Sequence, residues 1–421
     1  YHEGKYIERD INKSVYYLTS AANNNIPIAQ YNLGVIFREG VYVTRDISKS
    51  IHYLTLAANN NIPQAQYNLG LMYFDGKNIT QDINKAIYYF TLAANNNDKQ
   101  SQLILSFIYS DINFKSVNIN ETIRYYTIAA NNNNPQAQYN LGVTYYEGKY
   151  VTRDINKAIH YFKLAADQNY LQAQFNLGLI YSDGKHVTRN INKAIHYYTL
   201  AANKNISQAQ YNLGLIYYEG KYITQDISKA IQYFTLAANL NYAQAQLVLG
   251  VIYFNDEFIK CDFNKSIHYL TLAANQNHPQ AQFILGLFNL NNKKTNRGLN
   301  LLDKSSSAGN IPANFAIGYL YHEGKYIDRN MSKSIKHYKY ASSFNNFYSK
   351  NNLGVIYKNG IGDEIPKNIG YAIEYFDEVI RRWEDKLSMY DLAHIYIYEI
   401  ETDQKIDESI ELLIKSSNQN F

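Results

Sequence analysis

The sequence has little of the material from which several kinds of protein are built. It contains one cysteine, Cys261, which excludes an intrachain disulfide framework and a metal site held by several cysteines, but does not reveal the redox compartment. Its formal net charge is only +4, too small to predict a polyanionic partner unless the charges cluster. No apolar run reaches the roughly 18 to 20 residues of a membrane span, and we expect no span in this segment.

The chain starts within a repeating pattern, at Tyr1 and without a methionine. We therefore expect a fragment, which leaves open whether a signal peptide, a targeting segment or whole domains precede it. The compartment cannot be read from these residues, although a cytoplasmic location is slightly favoured.

The chain repeats itself with a fixed period. The stretch Ala29 to Gly34 recurs from Ala65, Ala137, Ala173 and Ala209, which gives a period of 36 residues. A period of this length is typical of solenoids built from two-helix units. Weaker copies begin at Ser101, Ala245, Ala281, Ala313, Ser349 and Ser388.

These copies predict about eleven repeats in one continuous solenoid. Terminal repeats face water and commonly lose the consensus, so we expect the last copy to be a cap. The predicted organisation is a partial lead-in repeat at 1–28, seven regular repeats at 29–280, three irregular repeats at 281–387 (one short, one long) and a degenerate capping repeat at 388–421.

Each unit is predicted to be a helix, a loop and a second helix, here called helix A and helix B. Apolar and small residues fall at spacings of three and four, as a helix requires. Asp154 is a typical N-cap for a helix B. Asparagine runs such as Asn131 to Asn134 predict its end, because asparagine tolerates the left-handed conformation.

Two glycines recur in each regular unit. The first, such as Gly142, lies inside helix A, where glycine costs ~0.5–1 kcal/mol relative to alanine, so its recurrence predicts a close approach to helix B. Ser106 and Ala393 replace it and are also small. The second, such as Gly148, follows an acidic residue in the loop and predicts a turn with a positive backbone dihedral.

The spacing Ala-x3-Leu-Gly-x2-Tyr-x2-Gly, followed by Asp-x2-Lys-Ala-x2-Tyr-x3-Ala-Ala, runs from Ala137 to Ala166. This pattern resembles the Sel-one-like repeat, a relative of the tetratricopeptide repeat, over nearly the whole chain. The resemblance implies an all-α fold, a right-handed superhelical α-solenoid. It also implies an adaptor or scaffold in a multiprotein assembly, the usual role of such solenoids in that family.

Residues that would carry catalysis or bind metal are spread along the repeats. Equivalent residues of neighbouring repeats, such as Glu147 and Asp183 or His160 and His196, should lie about 10 Å apart. That is too far for a carboxylate pair of the retaining type or for shared zinc ligation. Cys261 has no base beside it in the sequence. We therefore expect no enzyme, no cofactor and no metal site.

Aromatic residues on helix A are the candidate binding residues. By analogy with tetratricopeptide geometry, the residue three before the internal glycine and the one four after it would line a concave face, and tyrosine suits protein contacts. The alternative is that these rings only pack between neighbouring A helices. The predicted set is Tyr31, Tyr67, Phe74, Tyr139, Tyr146, Phe175, Tyr211, Tyr218, Phe254, Phe283 and Phe315.

The sequence thus predicts a non-enzymatic scaffold that binds a protein or peptide partner of unknown identity. Two alternatives stay open: a solenoid that binds carbohydrate or single-stranded nucleic acid, and the repeat domain of a larger enzyme. We expect no nucleic acid, because stacked aromatics hold a single strand only beside a basic groove.

Overall fold

The computed structural model describes residues 11–41, 43–110, 119–148, 151–254, 259–362, 364–400 and 403–418. Over these ranges the chain forms 23 α-helices and one π-helical turn at Tyr396–Ile400, and no β-strand. It divides into two compact units, Tyr1–Ala209 and Gln210–Phe421, and each unit is described by itself. Residues 1–10 of the predicted lead-in repeat lie outside the described part.

Helices A and B alternate along the chain, as the repeat pattern predicts. The A helices are α2 (Pro27–Glu39), α4 (Pro63–Asp75), α6 (Lys99–Ser110), α8 (Pro135–Glu147), α10 (Leu171–Asp183), α12 (Ser207–Glu219), α14 (Ala243–Phe254), α16 (Pro279–Asn291), α18 (Ile311–Glu323), α20 (Phe347–Asn359) and α22 (Lys386–Ile395). The B helices are α1 (Ile11–Asn23), α3 (Ile47–Asn59), α5 (Ile83–Asn95), α7 (Ile119–Asn131), α9 (Ile155–Asp167), α11 (Ile191–Ala202), α13 (Ile227–Asn239), α15 (Phe263–Asn275), α17 (Thr295–Ser307), α19 (Met331–Ser343), α21 (Ile369–Trp383) and α23 (Asp403–Asn418).

The predicted start of helix B is confirmed. The Asp154 carboxylate accepts a hydrogen bond from the Lys157 backbone N–H at 2.9 Å, which satisfies one of the orphan donors in the first turn of α9. The same cap is made by Asp46, Asp82, Asn190, Asp226, Asp262 and Asn330.

The predicted turns are confirmed as well. Asn133 follows α7 with φ 57°, and Gly148 follows α8 with φ 67°. A Cβ atom on Gly148 would lie 2.6 Å from Arg153 Cβ, so both the dihedral and the space require glycine here.

Buried side chains fill the space between successive helices, beginning with the A and B helices of one repeat. Ala137 and Leu141 of α8 are fully buried, and Phe162 of α9 is only 1% exposed. Burying a ring or leucine of this kind contributes roughly 1.5–3 kcal/mol. The buried clusters also extend from a helix B to the next helix A, since Leu54 of α3 and Leu69 of α4 belong to one cluster. Packing on both sides therefore sets the orientation of helix A. Over the part of the chain that the structure describes, none of the helices has the length and apolar character needed to cross a membrane.

Candidate functional site

The internal glycine fixes how helix A lies on helix B. A Cβ atom on Gly178 of α10 would stand 2.5 Å from the Tyr198 ring of α11, and one on Gly142 would stand 2.5 Å from the Phe162 ring. Real Cβ atoms do not approach a ring so closely, so the two helices can lie this near only because the side chain is missing. The close approach predicted for these glycines is confirmed. Ser106 and Ala393, their small replacements, are fully buried.

Buried glutamines join each helix A to the preceding repeat. Gln66 Nε2 of α4 donates to the Ala58 carbonyl of α3 at 3.0 Å, and Asn96 Nδ2, after α5, donates to Gln66 Oε1 at 3.1 Å. The glutamine is fully buried, so both bonds replace water that it has lost. The bond to the earlier alanine carbonyl recurs at Gln30, Gln102, Gln138, Gln174, Gln246 and Gln282.

The predicted residues three before the glycine position lie between two neighbours. The Tyr139 ring is centred 5.7 Å from Phe162 of its own helix B and 5.1 Å from Tyr170, which precedes the next helix A. In the second unit Tyr211 lies 5.7 Å from Phe234 and 5.3 Å from Tyr242. Burial beside Tyr242 raises the pKa of the Tyr211 hydroxyl. These rings thus contact both their own helix B and the start of the next repeat, and part of each ring stays exposed to solvent.

The predicted residues four after the glycine position lie at the end of helix A. Phe74 packs against Phe90, with 6.3 Å between ring centroids. The Arg153 guanidinium lies 5.3 Å over the Tyr146 ring, and its Nε donates to the Tyr146 carbonyl at 2.8 Å. Of all eleven predicted residues, ten are half-buried and Phe254 is exposed at 42%. Their partial exposure is compatible with binding and with packing alone.

An apolar position that the sequence reasoning missed lies directly after the glycine position. It is more open than the predicted rings: Phe107 is 56% exposed, Tyr319 46%, and Leu287 41%. Its spacing of four from one predicted position and three from the other is the signal that would have revealed it. The residues are Val35, Leu71, Phe107, Val143, Leu179, Leu215, Val251, Leu287, Tyr319 and Val355.

These three positions together form what we call the helix A stripe: the residues three before, one after and four after the glycine position. At the end of the second unit a stripe side chain reaches the next helix A, since Lys358 Nζ of α20 lies 2.7 Å from Asp391 Oδ1 of α22. From α2 to α18, the first two positions of the stripe carry no charged residue. The stripe therefore offers apolar contact area rather than charge.

On the opposite edge of helix A, the aromatic residue three after the glycine position is covered by helix B of the same repeat. Tyr145 stacks on Tyr161 of α9 with a centroid distance of 5.9 Å and an interplanar angle of 4°. Lys157 Nζ lies 5.2 Å over the Tyr145 ring and 3.7 Å from the Asp154 carboxylate. Burial and the Tyr145 hydroxyl raise the pKa of Tyr161. This arrangement leaves the stripe as the open part of helix A.

Chemically reactive side chains do not converge in the described residues. No three His, Cys, Asp or Glu side chains there lie close enough to hold a metal ion. His160 packs edge-on against its neighbour Tyr161 at 5.3 Å. The Cys261 thiol is exposed and donates to the Phe254 carbonyl at 3.0 Å. What the described residues do offer is surface for binding.

Comparison with known proteins gives one family. The Sel1 repeat model matches eleven stretches: residues 1–26, 27–62, 63–98, 112–134, 135–170, 171–206, 207–242, 243–278, 311–343, 348–378 and 386–421. A protective antigen of uropathogenic Escherichia coli with an SLR fold is 21% identical, with 96% of this chain and 94% of the antigen covered and a TM-score of 0.49. A Sel1 repeat protein from Oxalobacter formigenes is 24% identical over 81% of this chain and 89% of that protein, with a TM-score of 0.49. No curated protein sequence matches the chain.

Proposed function

The chain belongs to the Sel1 repeat family, and we propose that it is a non-enzymatic scaffold that binds a protein or peptide partner along the helix A stripe. Repeats of this kind commonly serve protein interaction, which supports the general role. The particular surface is supported by the apolar position after the glycine, where Leu179, Val251 and Leu287 are each exposed by 40% or more.

Single exposed apolar residues are common on protein surfaces and need no function. The proposal rests instead on their recurrence at one position of successive repeats. The same position is apolar in ten consecutive repeats, and it lies beside aromatic rings that the core already holds in place. Rings held by existing contacts lose little conformational freedom on binding. An uncharged row of leucine, valine and tyrosine favours a protein surface over a phosphate backbone, which requires cations.

We expect Val251→Ser with Leu287→Ser to weaken partner binding about tenfold, since buried apolar anchors dominate interface energies. The matched control is Leu236→Ser with Leu240→Ser on and after helix B α13, since these leucines are each 42% exposed, against 44% for Val251 and 41% for Leu287. Tagged full-length variants are used to capture partners from extracts of the source organism, and each protein's recovery is quantified by mass spectrometry.

A partner lost from the stripe variant and retained by the control supports the proposal. Equal recovery from both variants, or loss from the control alone, refutes the stripe as the binding surface. Circular dichroism spectra that match the wild type show that neither pair unfolds the chain.

A further inference from the structure

The small net charge of the chain hides two opposite blocks in the second unit. Residues 293–339 contain nine Lys and Arg against three Asp and Glu, whereas residues 360–421 contain six against fourteen. The first block is therefore strongly basic and the second strongly acidic. Averaged over the whole sequence, they cancel, which is why the total of +4 does not reveal them.

The basic block includes three exposed cations at the start of α17, here called the loop patch: Lys293, Lys294 and Arg297. In α15 the equivalents of the last two are Asp262 and Lys265, which form an ion pair at 3.7 Å. In α17 the aspartate is replaced by Lys294, whose side chain makes no cap hydrogen bond. The replacement removes the internal counter-ion that an aspartate at this position provides in five other repeats.

The loop patch lacks a counter-ion among the described residues. Within the part of the chain that the structure describes, none of its three cations lies within 4.0 Å of a carboxylate. The three side chains line a cleft of about 430 Å³ together with Thr295 and Asn296. Three like charges on one short segment repel each other, and an anionic ligand would relieve that repulsion.

The acidic block limits what kind of anion fits. It begins two repeats beyond α17, and ion pairs from Lys350 to Glu378 and from Lys358 to Asp391 join α20 to the helices that follow. A long polyanion lying along the second unit would come into contact with this block and be repelled. Salt would not remove the repulsion, because screening is effective only beyond a Debye length of about 8 Å. A short anionic segment avoids that repulsion.

We propose that the loop patch is a second interaction surface, distinct from the helix A stripe, which binds a short acidic segment of a partner protein. Its Asp and Glu carboxylates take the place of the aspartate that α17 lacks. Charge complementarity of this kind fixes the register of a partner and speeds its association more than it adds to affinity. The scaffold would then hold one partner by apolar contact and a charged segment at a separate place.

The test is binding of a short fluorescein-labelled oligoglutamate peptide to the full chain, measured by fluorescence anisotropy. Lys293→Gln, Lys294→Gln and Arg297→Gln together should weaken binding about tenfold, because each exposed charge pair contributes modestly. The matched control removes three exposed lysines elsewhere, Lys163, Lys185 and Lys204, each replaced by Gln. It should change binding less than about twofold, since these three lysines are separated along the chain and a single exposed charge contributes little.

Equal losses in the two triple variants, or no binding of oligoglutamate to the wild type, would overturn the proposal. So would tighter binding of a single-stranded oligonucleotide or of phosphatidylserine vesicles through the same three residues, which would identify a nucleic-acid or membrane contact instead. The Val251→Ser, Leu287→Ser variant should bind oligoglutamate like the wild type. Failure of the stripe proposal and failure of the loop patch proposal are therefore separate results.

Discussion

At the scale of single residues, polar side chains buried between repeats help to order the chain alongside the apolar ones. Gln66 bonds both to the preceding helix B and to Asn96 at the end of its own repeat. A buried carboxamide that lacks one of these bonds destabilises the fold, because it has lost water without a replacement. The repeat of α10 shows that defect: among the described residues the buried Gln174 Oε1 has no hydrogen-bond partner, and Lys204 stands where Asn96 stands in the earlier repeat.

We therefore expect Lys204→Asn to stabilise the repeat by about 0.5–1.5 kcal/mol through a new hydrogen bond to Gln174. The measurement is hydrogen exchange of the amides in α10 and α11, which should slow in the variant. Lys204→Ala is the control for simple loss of the charge and should not slow exchange. Asn96→Lys, the reverse change, should speed exchange in α4 and α5. Equal exchange in Lys204→Asn and Lys204→Ala would contradict this reading.

At the scale of helices, the contact between the internal glycine and the helix B ring determines how each pair packs. Replacing an exposed helical glycine with alanine stabilises a protein by up to about 1 kcal/mol. At Gly178 that gain is opposed, because a Cβ atom would lie 2.5 Å from the Tyr198 ring. The same substitution should thus have opposite signs at two helical glycines of this chain.

Gly178→Ala should destabilise α10 and α11 by about 1–3 kcal/mol, the usual effect of overpacking. Gly370→Ala in α21 is the matched control and should be neutral or stabilising, since a Cβ atom there would meet Asn368 Oδ1 at an ordinary 3.5 Å. Hydrogen exchange of the helices around each substitution shows whether the substitution stabilises or destabilises them. If Gly178→Ala protects its helices as well as Gly370→Ala does, the close packing is not what retains the glycine.

Helices, caps and turns could be predicted from the sequence because each depends on neighbouring residues. Asp154 and Gly148 act within one turn of their own position. The stripe was predicted in part: its aromatic positions were recognised, but Val251 and Leu287 were not, because the sequence does not show which apolar residues of a helix stay exposed. Gln66 was missed because its partners lie in two other helices. The loop patch was missed because net charge averages over blocks that the fold keeps apart.

At the scale of the whole molecule, repetition presents similar side chains at regular intervals. Contacts run mainly between sequential helices, so each repeat depends chiefly on its neighbours. A partner that follows several A helices gains from several weak contacts at once, each of which needs little area. The helix A stripe is therefore the central claim of this account, and the two faces of a repeat provide its test.

The most direct measurement places a photo-crosslinking amino acid at Phe107 on helix A or at Tyr88 on helix B, in cells of the source organism. The two residues are both aromatic and are exposed to a similar extent, 56% and 58%, so they differ mainly in the face that they occupy. The account predicts a covalent adduct with another protein from position 107 and none from position 88. Adducts from position 88 alone, or equally from both positions, would contradict it.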